Sequence, residues 1–300
     1  MDMLTISHLS KRFSDKQVLQ DVTLSVPEHT IFGFVGQNGA GKTTTMKIIL
    51  GLLQADGGEI KVGGETVRYG ETHTNRFIGY LPDVPEFYSY MTPAEYLTFC
   101  GEITGMAPAD IKKRIAELLQ LVGLSSETRR IKGFSRGMKQ RLGIAQALFN
   151  HPRLLICDEP TSALDPVGRK EILDILSAAK EQTTVLFSTH ILSDVERICD
   201  NIAFLHKGNI VLQGTMEEVK GVHKSSGYEI ELEYSQEAQK LLAAFKNIKQ
   251  TGKTHLLLES VKQAQVEEIL RFITDEHIHV LRLEKQEPTL ESLFMEVIGK

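Results

Sequence analysis

The stretch "GQNGAGKTT", residues 36–44, is a turn almost bare of side chains between two apolar runs, "TIFGFVG" before it and "MKIILGLL" after it. The first run has the length of a buried strand, and the second reads as a helix. Gly36, Gly41, Lys42 and Thr43 stand in the spacing Gly-x-x-x-x-Gly-Lys-Thr. Strand, bare loop, helix is the arrangement that cradles phosphate. Glycine lets the backbone curl until successive N–H groups point at one anion, and the helix adds the positive end of its dipole at the same place. Side chains would block that approach, so Asn38, Gly39, Ala40 and Thr44 complete a cradle in which Lys42 reaches the β- and γ-phosphates. The Thr43 hydroxyl is then a ligand for a Mg²⁺ that bridges those phosphates. The plainer alternative is a Gly-rich turn that only caps a helix, and the rest of the chain must decide between the two.

Binding a nucleotide is not hydrolysing it, which also needs an acid to order the metal and a base to polarise water. "LLICDEP", residues 154–160, supplies both at the end of an apolar strand. Asp158 is placed to hold Mg²⁺, and Glu159 is the candidate general base, at the strand end where ligands gather in open parallel sheets. Two acids before a proline also begin an ordinary loop. In "GFSRGMKQRL", Ser135 and Gly137 open a helix with nearly bare amides, a second anion site that a nucleotide on another subunit would fit. Ser135 taken alone reads as an N-cap.

These motifs resemble, in order and separation, those of the ATP-binding subunit of an ATP-binding-cassette transporter: "GQNGAGKTT", "FSRGM", "LLICDEP", "SALD" and "STH". The resemblance covers about residues 3–220. The single cassette with a short tail ending "EPTLESLFMEVIGK" is most similar to the bacterial exporter group of drug-resistance and sodium-efflux ATPases. It implies a P-loop ATPase fold with a parallel core sheet, an antiparallel layer and a helical subdomain at about residues 84–150. It also implies MgATP hydrolysis by a homodimer or heterodimer around two ATP, driving separate membrane-spanning permease subunits. Phe13 matches the aromatic that stacks on adenine, Asp165 the dimer-contact loop, and His190 the histidine that touches the γ-phosphate; each has a purely structural reading beside this one. Two positions depart from the family. Arg136 stands where a glycine is usual, and Asp83 stands after "IGYLP" where Gln or Glu is usual. Asp83 is nonetheless expected in the metal shell, with Thr43 and Asp158, and in the catalytic set, with Glu159 and His190.

The composition fits this reading. With 34 basic and 39 acidic residues the net charge is -5, which argues against a nucleic-acid or anionic-membrane face. Three scattered cysteines, Cys100, Cys157 and Cys199, make neither a disulfide framework nor a zinc site. No run of 18 apolar residues occurs, so the membrane is expected to be reached only through a partner, at the cytoplasmic face. Residues 221–227 read as a polar linker, and 228–300 as a small α/β domain for packing or regulation. The aromatic loop "VPEFYSYM", with Phe87, Tyr88 and Tyr90 expected to be exposed, is the candidate permease contact. A soluble cassette ATPase of translation or DNA repair is the alternative, but such chains carry two cassettes or a long coiled coil. A small-molecule kinase would lack the Ser135 segment and His190.

Overall fold

The computed structural model describes residues 1–221, 227–258, 263–286 and 289–298. Residues 1–216 and 217–300 form two compact units. Most of the polar stretch expected as a linker, residues 222–226, lies outside the described residues.

The first unit opens with β1 (Asp2–Phe13), β2 (Lys16–Pro27) and β3 (Ile31–Val35), then α1 (Lys42–Ile49), β4 (Gly57–Val62), β5 (Glu65–Thr66) and β6 (Ile78–Leu81). Three helices follow: α2 (Pro93–Ile103), α3 (Pro108–Leu121) and α4 (Arg136–Leu148). The unit ends with β7 (Leu154–Asp158), α5 (Pro166–Ala179), β8 (Thr184–Thr189), α6 (Leu192–Ile198), β9 (Asn201–His206) and β10 (Asn209–Thr215).

An antiparallel sheet of order β2-β1-β4-β5 lies beside a sheet of order β10-β9-β3-β8-β7-β6. The first sheet buries Leu4, Ile6 and Leu9 of β1 and Leu19, Val22 and Leu24 of β2, so one of its faces joins the core. In the second, β3, β7 and β8 are buried at every residue, as strands of a parallel sheet covered on both faces must be. Pairing is parallel from β9 through β3, β8 and β7 to β6, and only β10 returns antiparallel. One apolar cluster runs between the sheets and takes in Met46 and Ile49 of α1. α4 lies so close to β6 that a Cβ on Gly79 would stand 2.1 Å from the Ala147 carbonyl oxygen.

The helical block begins with a reciprocal cap. The Glu95 amide donates to Thr92 Oγ1 (3.3 Å) and the Thr92 amide to Glu95 Oε2 (2.8 Å), with Pro93 in the first turn. The aromatic loop before it differs from expectation at one residue. Tyr88 and Tyr90 are exposed, but Phe87 is half-buried, because its ring meets Tyr96 edge-on at 5.1 Å between centroids.

After α7 (Met216–Gly221), whose first residue ends the first unit, the second unit holds β11 (Gly227–Leu232), α8 (Ser235–Ala244), β12 (Ile248–Gln250), β13 (His255–Leu258), α9 (Gln263–Asp275), β14 (Val280–Gln286) and α10 (Leu290–Ile298) in order. The sheet, β12-β13-β11-β14, is antiparallel throughout. Ile230, Leu241, Leu256 and Ile269 are among the residues of a core of its own.

Candidate functional site

β3, β7 and β8 are parallel and in register, with Val35 opposite Thr189 and Asp158 opposite Ser188. The segments after them therefore leave one edge of the sheet together: the bare loop, Glu159 and His190. This is the edge at which open parallel sheets bind ligands.

The loop is bare for two structural reasons. A Cβ on Gly36 would stand 2.5 Å from the Leu205 carbonyl oxygen. Gly41 has φ +117, which L side chains rarely adopt, and a Cβ there would meet Leu19 Cδ2 at 2.6 Å. Gly41 is also the N-cap of α1 and gives it no side-chain acceptor. The first N–H groups of the helix are thus left for an anion.

A cavity of about 330 Å³ opens at this edge, within the range of roughly 300–1,000 Å³ usual for small-molecule sites. Asn38, Gly39, Gly41, Lys42, Thr43 and Thr44 line it from the loop and α1. Asp158 lines it from the end of β7, and Asp83, Glu159 and His190 from the loops after β6, β7 and β8.

Asp158 is 3% exposed and each of its oxygens accepts a hydroxyl: Oδ2 from Thr43 Oγ1 (2.8 Å), Oδ1 from Ser188 Oγ (2.6 Å). Nearby, burial and then the Asp158 carboxylate push the Tyr80 phenol up to about 12. Glu159 has φ +50, a conformation that costs a non-glycine residue on the order of 1–3 kcal/mol. Its amide donates to both Ser188 O (3.1 Å) and Ser188 Oγ (3.2 Å), which hold the residue in that conformation. Its side chain points back into the cavity, with Oε2 2.9 Å from His190 Nδ1 and Oε1 3.1 Å from Lys42 Nζ. The lysine contact is an ion pair whose geometry is not that of a hydrogen bond; buried Oε1 receives no hydrogen bond from the described residues. Lys42 Nζ instead donates to the Gly36 and Gln37 carbonyls.

Thr43, Asp158 and Asp83 offer hard oxygen donors of the kind Mg²⁺ takes. No group of three or more His, Cys, Asp or Glu among the described residues could hold a metal alone. The donor set fits a cation shared with phosphate oxygens, which is how Mg²⁺ is usually bound.

The remaining expected residues do not line this cavity. Gly36 and Ala40 belong to the loop as spacers; Ala40 is 8% exposed. Phe13 ends β1 with its ring 45% exposed and the Lys11 ammonium 5.3 Å from its centroid. Ser135 caps α4, its oxygen accepting from the Met138 amide (3.2 Å), and Gly137 follows in the first turn. Asp165 caps α5 by accepting from the Gly168 amide (3.2 Å). The capping readings of Ser135 and Asp165 thus both hold in this chain.

Sequence reading missed Val18 and Ser162 on the cavity wall, and Ser188 as the clamp on Asp158 and Glu159. Ser188 stands within the "STH" motif, and strand register was the signal that would have found it.

Residues 19–162 match the family model described as ABC transporter, and residues 214–298 match that of the ATP-binding protein DrrA1-3-like, C-terminal domain. The uncharacterized ABC transporter ATP-binding protein YxlF of Bacillus subtilis (strain 168) is 44% identical over 73% of this chain and 72% of its own. The bacitracin transport ATP-binding protein BcrA of Bacillus licheniformis is 33% identical over 99% of this chain and 97% of its own. The chain belongs to the ABC transporter ATP-binding proteins. A solved structure described as the ATP binding subunit of an ABC transporter superposes with TM-score 0.66 at 33% identity, over 73% of this ABC protein and 92% of that chain. The fold is that of the ABC ATPases, and the activity is ATP hydrolysis coupled to transport. ABC ATP-binding subunits work with membrane permease partners.

Proposed function

We propose that this ABC subunit hydrolyses MgATP as one half of a dimer that holds two nucleotides, and that closure of the dimer drives export through separate membrane-spanning subunits. Lys42 and the open amides of α1 bind the β- and γ-phosphates. Mg²⁺, when bound, neutralises charge on those phosphates; Thr43 and Asp158 would hold it, with Asp83 beside them. Glu159 accepts the proton of the attacking water, and His190 orients that carboxylate. Phe13 stacks on adenine at the exposed end of β1. Ser135, Gly137 and Asp165, all outside the cavity of their own chain, serve the nucleotide of the partner subunit.

Buried Glu159 Oε1 meets only the Lys42 ammonium, in an ion pair at 3.1 Å, and receives no hydrogen bond from the described residues, while Oε2 is fixed by His190 and the backbone is held at positive φ. A general base needs a placed acceptor whose lone pairs are not committed to a hydrogen bond, and this reading asks Lys42 to turn to phosphate and release Oε1 to water.

No helix among the described residues is long and apolar enough to cross a membrane; in this proposal the permease holds the subunit at the cytoplasmic face. The groove of about 500 Å³ between the aromatic loop and α2, where exposed Tyr88 flanks Phe99 and Ile103, is the surface for the permease. The second unit serves packing or regulation. The test is Glu159→Gln: ATP affinity should stay within about threefold while turnover falls about 10²-fold or more. Turnover near wild type overturns the reading.

A further inference from the structure

The Glu159–His190 contact joins two loops that follow different strands, so something must hold one against the other. Asp194, in the first turn of α6, is 3% exposed and sits between them. Its Oδ2 accepts from Thr161 Oγ1 at 2.7 Å, and its Oδ1 accepts from Arg169 Nη2 at 2.6 Å. Thr161 is fully buried and follows Glu159 by two positions. Arg169 lies in α5 and its amide donates to the Asp165 carbonyl (2.9 Å), at the far end of the same loop. One buried carboxylate therefore receives a bond from Thr161, near the start of the segment from Glu159 to Asp165, and one from Arg169 in the helix that follows the segment. On its own side, the Asp194 amide donates to the Ile191 carbonyl (3.2 Å) and the Ile191 amide to Thr189 Oγ1 (3.0 Å), which fixes the chain on both sides of His190.

We infer that Asp194, with Thr161 and Arg169, is a positioning cluster that holds the His190 loop against the Glu159 loop and so keeps the Glu159 carboxylate aimed at the attacking water. The inference rests on Glu159 and His190 acting together in hydrolysis. A buried ionised carboxylate needs its partners, so the bonds are obligatory. Misplacing a catalytic group by about 1 Å can cost on the order of 10² in rate. Thr161 and Arg169 touch neither the cavity nor, in this reading, the nucleotide, so the effect of removing them falls on turnover and not on binding.

The test is Thr161→Val in the full chain, which keeps shape and removes only the hydroxyl. ATPase turnover should fall about tenfold or more with KM and ATP affinity within about twofold, and Thr161→Ser should return turnover to within about threefold of wild type. Wild-type turnover in folded Thr161→Val overturns the inference, as does an equal loss in Thr161→Ser, because then the methyl and not the hydroxyl matters. Should Thr161→Val fail to fold, Arg169→Gln at the more exposed arm decides: a loss of turnover at constant KM supports the cluster, and none overturns it. Glu159→Gln run in parallel separates the levels, since an active Glu159→Gln defeats the underlying reading, whereas an inactive one beside a fully active Thr161→Val defeats the cluster alone.

Discussion

Arg136 Nη2 lies 3.2 Å from Asp83 Oδ1, so the two residues that depart from the family pattern are partners of one another. Both side chains are nearly half exposed, 43% and 48%, and such a pair contributes about 0–1 kcal/mol. The loop does not depend on it. Buried Gln140 Nε2 donates to the Asp83 carbonyl at 2.7 Å and pins the backbone, which leaves the carboxylate to exchange partners at little cost.

That arrangement predicts opposite effects on the metal requirement. Asp83 lines the cavity, so removing its carboxylate in Asp83→Ala should raise the Mg²⁺ concentration for half-maximal ATPase activity by about threefold or more. Arg136→Ala releases the carboxylate and should lower that concentration. Asp83→Gln restores a neutral oxygen donor and should fall between wild type and Asp83→Ala. Three superimposable Mg²⁺ titrations would reduce Asp83 to a turn residue paired with a surface arginine.

How far this was legible in the sequence follows from which contacts are local. The phosphate loop and the Thr92–Glu95 cap are complete within a few residues, and their spacing alone announces them. Asp158 and Glu159 were legible as an acid pair at a strand end, but the Ser188 clamp on both was not, because it needs the register of β7 with β8. The Asp194 cluster ties residues 25 and 33 positions apart and has no sequence pattern at all. α6 itself went unread: seven residues with Ile191 at the N-cap and no side-chain cap carry little signal. β12, three residues long, is equally silent. Phe87 reads as exposed together with Tyr88 and Tyr90 because the three share one aromatic loop suited to an interface, whereas its partial burial comes from Tyr96 on the helix that follows.

A shared site has a complementation signature. Lys42 lines the cavity of its own chain and Ser135 does not. Lys42→Ala and Ser135→Arg should each abolish most ATPase activity. When the two are mixed in equal amounts, about half of randomly paired dimers carry one site built from the sound parts of each chain, so activity should recover in the mixture. Heterodimers detected by differential tags without any recovery would place both residues in service of a single chain's nucleotide.

The last prediction concerns what holds the helical block together. Arg114 of α3 is 6% exposed, and its guanidinium reaches the end of α4, with Nη2 2.6 Å from the Leu148 carbonyl oxygen and Nε 3.2 Å from that of Phe149. Helices leave their last carbonyls without intrahelical partners; here Leu148 O also accepts from the His151 amide (3.2 Å), and Arg114 of α3 serves as a C-cap for both carbonyls across a distance of 34 residues. Burial lowers the basicity of the guanidinium, and Glu117 in the next turn opposes that shift. Arg114→Ala strands the Phe149 carbonyl, leaves the Leu148 carbonyl with the His151 amide (3.2 Å) alone and removes the packed stem, a loss of about 2–4 kcal/mol. Arg114→Lys keeps the stem and one donor and should lose about half as much. Urea midpoints for the two variants would show this order, and because Arg114 is not on the cavity wall, ATP affinity below the transition should match wild type. Equal stability of Arg114→Ala and wild type would mean that water serves those carbonyls as well as the arginine does.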